Sequence, residues 1–146
     1  LSLLAGIDLL TGIAIPLVSE SHKSSNFINL LKKFDAMYPD GDMIRIICDN
    51  HLAHKSKETQ NYLAGRPQGR FVFVFTPTHG SWLNMIESFF SKMTKQMLRG
   101  IRVKSKEELE QRIYLYFDEV NAEPVVYHWK YRLDKISQVE AMEATL

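Results

Sequence analysis

Asp49 and Glu87 are the two carboxylates of this sequence whose surroundings suit catalysis. Asp49 follows directly on Met-Ile-Arg-Ile-Ile-Cys (Met43 to Cys48), a nearly continuous apolar run rich in β-branched residues that reads as a strand buried on both faces. Functional groups in α/β proteins gather outside the carboxyl ends of such strands. There Asp49-Asn50-His51, with His54, sets four polar side chains together. The same residues also suit a helix N-cap or an Asx turn. Glu87 lies within a helical stretch. At about 100° per residue, Asn84, Glu87, Ser91, Thr94 and Lys95 share one face, which is equally the pattern of a solvated polar side opposite a core stripe. Taken together, the two acids can converge on one divalent cation. Mg²⁺ takes oxygen ligands and is commonly held by one or two carboxylates plus substrate phosphates. Two such ions about 3.5–4 Å apart clamp the attacking and leaving oxygens of an in-line phosphoryl displacement.

Downstream of Glu87 the charge is one-sided. From Ser88 to Lys106 there are six basic residues and no acidic one, whereas the whole chain has a net charge of only +1. A local basic block in a nearly neutral chain reads as a patch on a folded surface, suited to a nucleic-acid backbone. Lys92, Lys95, Arg99 and Arg102 are the expected phosphate contacts, set against ordinary solvated helix surface. His79 and Ser81 precede the helix bearing Glu87 and can approach phosphate at its N-terminus, although Ser81 also reads as a cap. Asn84, one turn before Glu87, can order the carboxylate or a metal-bound water. Trp82 reads as a packing anchor and Cys48 as a buried strand residue without redox function.

These groups need elements to position them. Leu3–Asp8 and Ile13–Val18 flank Leu-Leu-Thr-Gly and predict a hairpin. Ser24 or Ser25 can cap a helix carrying Phe27, Leu30, Leu31 and Phe34, which should stop near Tyr38, before Pro39-Asp40-Gly41. After the strand Met43–Cys48, a helix is expected over Lys55–Leu63 and a strand over Arg70–Phe75. A long helix follows, roughly Ser81–Leu98, with Leu83, Ile86, Phe90, Met93 and Met97 as its apolar stripe. A last helix should run from Ser105, where Ser-Lys-Glu-Glu forms a capping box, to about Val120. The tail from Val125 has alternating aromatics suited to a short extended segment. Strand–helix–strand alternation calls for a mixed sheet covered by helices, hence an α/β fold.

Composition bounds the alternatives. A chain of 146 residues, 45% hydrophobic and 24% charged, suits one globular domain with its own core and argues against wholesale disorder. One cysteine excludes an internal disulfide framework and a Cys-rich zinc site. No apolar run reaches the roughly 18 residues of a membrane-spanning helix, and the apolar opening lacks the basic region of a secretory signal. The absent initiator Met leads us to expect a true N-terminus upstream of Leu1.

Two segments carry a closer likeness: Cys48-Asp49-Asn50-His51-Leu52-Ala53-His54-Lys55, and Thr76-Pro77-Thr78-His79-Gly80-Ser81-Trp82-Leu83-Asn84-Met85-Ile86-Glu87. Together they resemble the Asp-Asn-x-x-x-His and Thr-Pro-x-x-x-Ser-Trp-Leu-Asn-x-x-Glu motifs of the DDE (Asp-Asp-Glu) transposases of bacterial insertion sequences, in the mariner-type superfamily. Gly6 to Gly12 resembles that family's hairpin. The resemblance implies a ribonuclease-H-like mixed sheet flanked by helices, with Asp49 as the second catalytic acid and Glu87 as the third, 37 residues lying between them. It implies Mg²⁺ or Mn²⁺, two ions in the complete site, with His54 touching a phosphate or a water, or else opening a helix. It also implies cleavage at transposon ends and strand transfer into a TA-containing double-stranded DNA target by a homodimer or higher assembly, in the bacterial cytoplasm and away from membranes.

The family's first catalytic Asp sits on a strand upstream of the hairpin. We therefore expect this chain to lack its first strand, one of three metal-binding carboxylates and the upstream helix-turn-helix, as a truncated or split reading frame would. Asp8 matches the hairpin and is expected to serve a turn. The loss should expose an edge of the hairpin to pairing with another chain. The expected organisation is a catalytic domain over 1–124 with a C-terminal tail over 125–146. A catalytically silent remnant that binds DNA or a partner chain is the alternative; a structure-specific nuclease is a third.

Overall fold

The computed structural model of the chain describes residues 1–49, 55–76, 83–124 and 140–145. The hairpin forms from β1 (Ser2–Asp8) and β2 (Ala14–Ser19), paired antiparallel with Leu4 opposite Leu17. Helix α1 (Ser24–Met37) follows. Its N-cap is Lys23 rather than Ser24 or Ser25, because the Asn26 side chain reaches back to accept from the Lys23 N–H at 2.9 Å. β3 (Ile44–Asp49) and β4 (Phe71–Thr76) run parallel, Asp49 level with Thr76, with α2 (Lys57–Ala64) crossing between them. Then come α3 (Leu83–Met93), a π turn (Thr94–Leu98), α4 (Lys106–Ala122) and β5 (Glu140–Thr145).

The described strands form one mixed sheet in the order β2-β1-β5-β3-β4. Its centre differs from the expectation. Residues 140–145, part of the expected tail, enter between β1 and β3, antiparallel to the first and parallel to the second. The inner edge of the hairpin, expected to lie open, is thereby paired. An unpaired row of backbone N–H and C=O groups between two apolar strands is costly, and a strand from far along the chain satisfies both edges at once.

Side chains alternate cleanly across the sheet. Leu4, Ile44, Ile46 and Cys48 meet Phe27, Leu30, Leu31 and Phe34 of α1 on one face. Leu3, Ala5, Ile7 and Ile47 meet Ile86, Phe89, Phe90, Met93, Ile113 and Phe117 on the other. The expected stripe of the long helix is thus confirmed at Ile86, Phe90 and Met93, all buried, with Met97 half-buried against the same core. The helix does not continue as α to Leu98. The Arg99 N–H donates to the Thr94 carbonyl, five residues back, at 2.8 Å, and the Thr94 hydroxyl bonds the Phe90 carbonyl at 2.9 Å. Gly100, at φ +72°, ends it in the left-handed region.

Candidate active site

Asp49 is the last residue of β3. In the alternation along that strand, Cys48 belongs to the α1-side core and Ile47 to the core beneath α3 and α4, so position 49 falls on the α3 side. Helix α3 packs on β5 and β3. Ile86, Phe89 and Phe90 anchor it, while Glu87, between them in sequence, stays exposed on its flank. Anchoring on either side of Glu87 in sequence fixes its backbone without spending its carboxylate on the core. Asn84 lies in the first turn of α3; Asn50, His54, His79, Ser81 and Trp82 lie outside the described residues.

The basic residues expected to meet DNA are all exposed. Lys92 lies in the last turn of α3, Lys95 sits on the π turn, Arg99 caps that turn in extended backbone (φ −65°, ψ 119°) and Arg102 lies in the link to α4. A π turn advances less per residue than an α-helix. Lys95 and Arg99 therefore point elsewhere than a continued α-helix would send them.

The remaining acids near the sheet have other places. Asp8, 5% exposed, holds the hairpin turn as expected: its Oδ1 accepts from the N–H groups of Leu10 at 2.8 Å and Thr11 at 3.2 Å. Its Oδ2 accepts from the Tyr38 hydroxyl at 2.6 Å, and burial, with the Asp8 carboxylate, pushes the Tyr38 phenol up from its ordinary value of 10.0. On β5, position 143 pairs with Gly6 and so falls on the α1 side, opposite position 49. Position 140 pairs with Arg45, at the far end of β3 from Asp49. Among the described residues no group of three or more His, Cys, Asp or Glu side chains stands ready to hold a metal ion.

One charged constellation went unforeseen. Arg70, 4% exposed, donates from Nε to Asp35 Oδ1 (2.8 Å) and through its other nitrogens to the carbonyls of Asp35, Tyr38, Pro39 and Asp42. Arg66 binds the other Asp35 oxygen at 2.8 Å. This cluster closes the C-terminus of α1 at the end of the sheet away from Asp49, where its work is structural. An Arg opening an apolar strand was the only sequence signal for it, and its partners lie about thirty residues back in sequence.

With strand-end and helix-borne carboxylates on a helix-covered mixed sheet, comparison with known proteins gives the class. The family described as DDE superfamily endonuclease matches residues 1–110, and the chain belongs to it. A curated relative, the "Insertion element IS630 uncharacterized 39 kDa protein" of Shigella sonnei, is 30% identical over 104 residues, which are 71% of this chain. The chain spans only 30% of that relative's length. No solved structure matches it. No helix among the described residues is long and apolar enough to cross a membrane.

Proposed function

We propose that this chain is the catalytic part of a transposase that cleaves DNA strands and joins them to a target during insertion-sequence mobility, on a ribonuclease-H-like arrangement. The observation that carries the proposal is the packing of α3 on the β3 side to which position 49 falls, with Glu87 left exposed on that helix. Asp49 and Glu87 would hold Mg²⁺ or Mn²⁺; their all-oxygen donor set suits a hard divalent cation. When bound, the metal lowers the pKa of an attacking water or 3′-hydroxyl and screens the charge developing on the phosphate.

The protein's share is positioning. Lys92, Lys95, Arg99 and Arg102 hold the DNA backbone by charge, the electrostatic term that dominates such binding and weakens with salt. Asn50, His54, His79, Ser81 and Asn84 surround the two acids in sequence and are proposed to orient phosphate and water. Double-stranded DNA, both transposon ends and a TA-containing target, is the proposed substrate, held by a dimer or larger assembly.

Asp49→Ala and Glu87→Ala test the assignment. Each should lower Mn²⁺ affinity tenfold or more, on the order of the loss of one ligand, and, in a longer parent protein that supplies all three acids, abolish Mg²⁺-dependent cleavage of end-containing duplex while DNA binding persists. Cleavage retained by either variant would remove it from the site. DNA binding by the unaltered protein with weak or absent Mn²⁺ binding would favour the DNA-binding remnant.

A further inference from the structure

Beside the flank that carries Glu87, the next helical stripe, Ser88, Lys92 and Gln96, borders a cleft between α3, its π turn and α4. The cleft has a volume of about 310 Å³. Phe89 and Tyr116 supply its aromatic walls, their rings 6.3 Å apart and inclined at 65°, and the Tyr116 hydroxyl donates to Gln96 Oε1 at 2.9 Å. Ile7 and Val120 complete its apolar lining. The single charged group among its described lining residues is the Lys92 ammonium.

We propose that this cleft receives one unstacked nucleotide of the DNA whose backbone runs along the basic face. The inference rests on the DNA-binding reading above. Its chemistry is complementary at each point. The half-buried Tyr116 ring accepts a base of any sequence over the apolar floor of Phe89, the Gln96 amide N–H groups offer donors to the base edge, and Lys92 meets the phosphate at the mouth. The volume lies at the lower end of the roughly 300–1,000 Å³ range of small-ligand sites, enough for one nucleotide and too little for paired bases. Lys92 links the cleft to the backbone track of Lys95, Arg99 and Arg102, so a strand held there passes the cleft's mouth. The hairpin end beside the cleft is fixed, because Asn121 of α4 bonds both the N–H (2.8 Å) and the carbonyl (2.7 Å) of Ala14.

The test uses two probes: a blunt duplex, and the same duplex with a short single-stranded 3′ overhang carrying 2-aminopurine at its first unpaired position. The overhang probe should bind roughly fivefold or more tighter than the blunt one, with the 2-aminopurine emission changed by stacking. Ser88→Trp, at an exposed helical position, fills the cleft without removing a core contact; Gln96→Ala removes the polar reader at another exposed position. Both should abolish the overhang preference and leave blunt-duplex affinity within about twofold. Blunt binding without an overhang preference, or a preference that survives Ser88→Trp, overturns the cleft assignment and leaves the proposed function standing. Failure to bind either probe overturns both. Concentration-dependent self-association abolished by Ser88→Trp, with no overhang preference, assigns the cleft to a second copy instead.

Discussion

Asp8 and Arg70 show how much of this sequence's charge is structural. Asp8 is an early acid on a strand, the kind of residue that invites a catalytic assignment, yet both its oxygens are occupied by the turn and by Tyr38. Tyr38→Phe leaves one buried carboxylate oxygen without its donor and should cost about 1–3 kcal/mol in urea unfolding. The pH dependence has a definite sign. The Tyr38 phenol is raised when folded, so its contribution is complete below pH 10 and is lost as pH rises above that value, where the unfolded tyrosine ionises first. Stability of the parent should fall above pH 10 more steeply than that of Tyr38→Phe. Arg70→Met removes a guanidinium whose partners are one carboxylate and four carbonyls. Breaking such a buried set costs about 3–5 kcal/mol, read as a lowered urea midpoint at unchanged slope.

At the scale of elements, caps and seams decide where helices begin and how they dock. The capping box expected at Ser105 forms by half: the Ser105 hydroxyl accepts from the Glu108 N–H at 3.1 Å, but the Glu108 carboxylate takes the Lys104 N–H at 2.7 Å, one residue earlier than a reciprocal box requires. The other end of α4 is fixed by Asn121, which bonds Ala14 as another strand would. Asn121→Ala should destabilise the fold by about 1–3 kcal/mol, because Ala14 is buried and both its backbone groups lose a partner. An alanine at exposed Glu119, two residues away, should shift stability by less than about 0.5 kcal/mol. Equal unfolding midpoints for the two variants would show that Asn121 does not pin the helix to the hairpin.

Across the whole molecule, β5 is the only described strand that joins the hairpin β2-β1 to the parallel pair β3-β4. Its sequence, Glu-Ala-Met-Glu-Ala-Thr, is poor in the β-branched residues that central strands favour. Its place therefore rests on the backbone pairing and apolar flanks offered by β1 and β3. Deleting residues 140–146 should open both inner edges. Amides of β1 and β3 that face β5 should lose hydrogen-exchange protection, and the shortened chain should bind more of a hydrophobic dye and self-associate. Unchanged protection in β1 and β3 after the deletion would show that β5 does not hold the sheet together.

The sequence by itself determined the local pieces: the hairpin, α1 with its four buried apolar residues, the two parallel strands, the stripe of α3 and the start of α4. It also determined the family, since the motifs around Asp49 and Glu87 are contiguous stretches of chain. These are legible because helix and strand periodicity, turn chemistry and motif spacing act over a few residues. Only the tertiary structure decided that residues 140–145 fill the centre of the sheet, that Asp8 also takes the Tyr38 hydroxyl, that Arg70 locks the end of α1, and that α3 relaxes into a π turn at Thr94. Each of these depends on partners distant in the chain or on the crowding of a finished core. Backbone hydrogen bonding, which carries most of the pairing in a sheet, is nearly blind to side-chain identity.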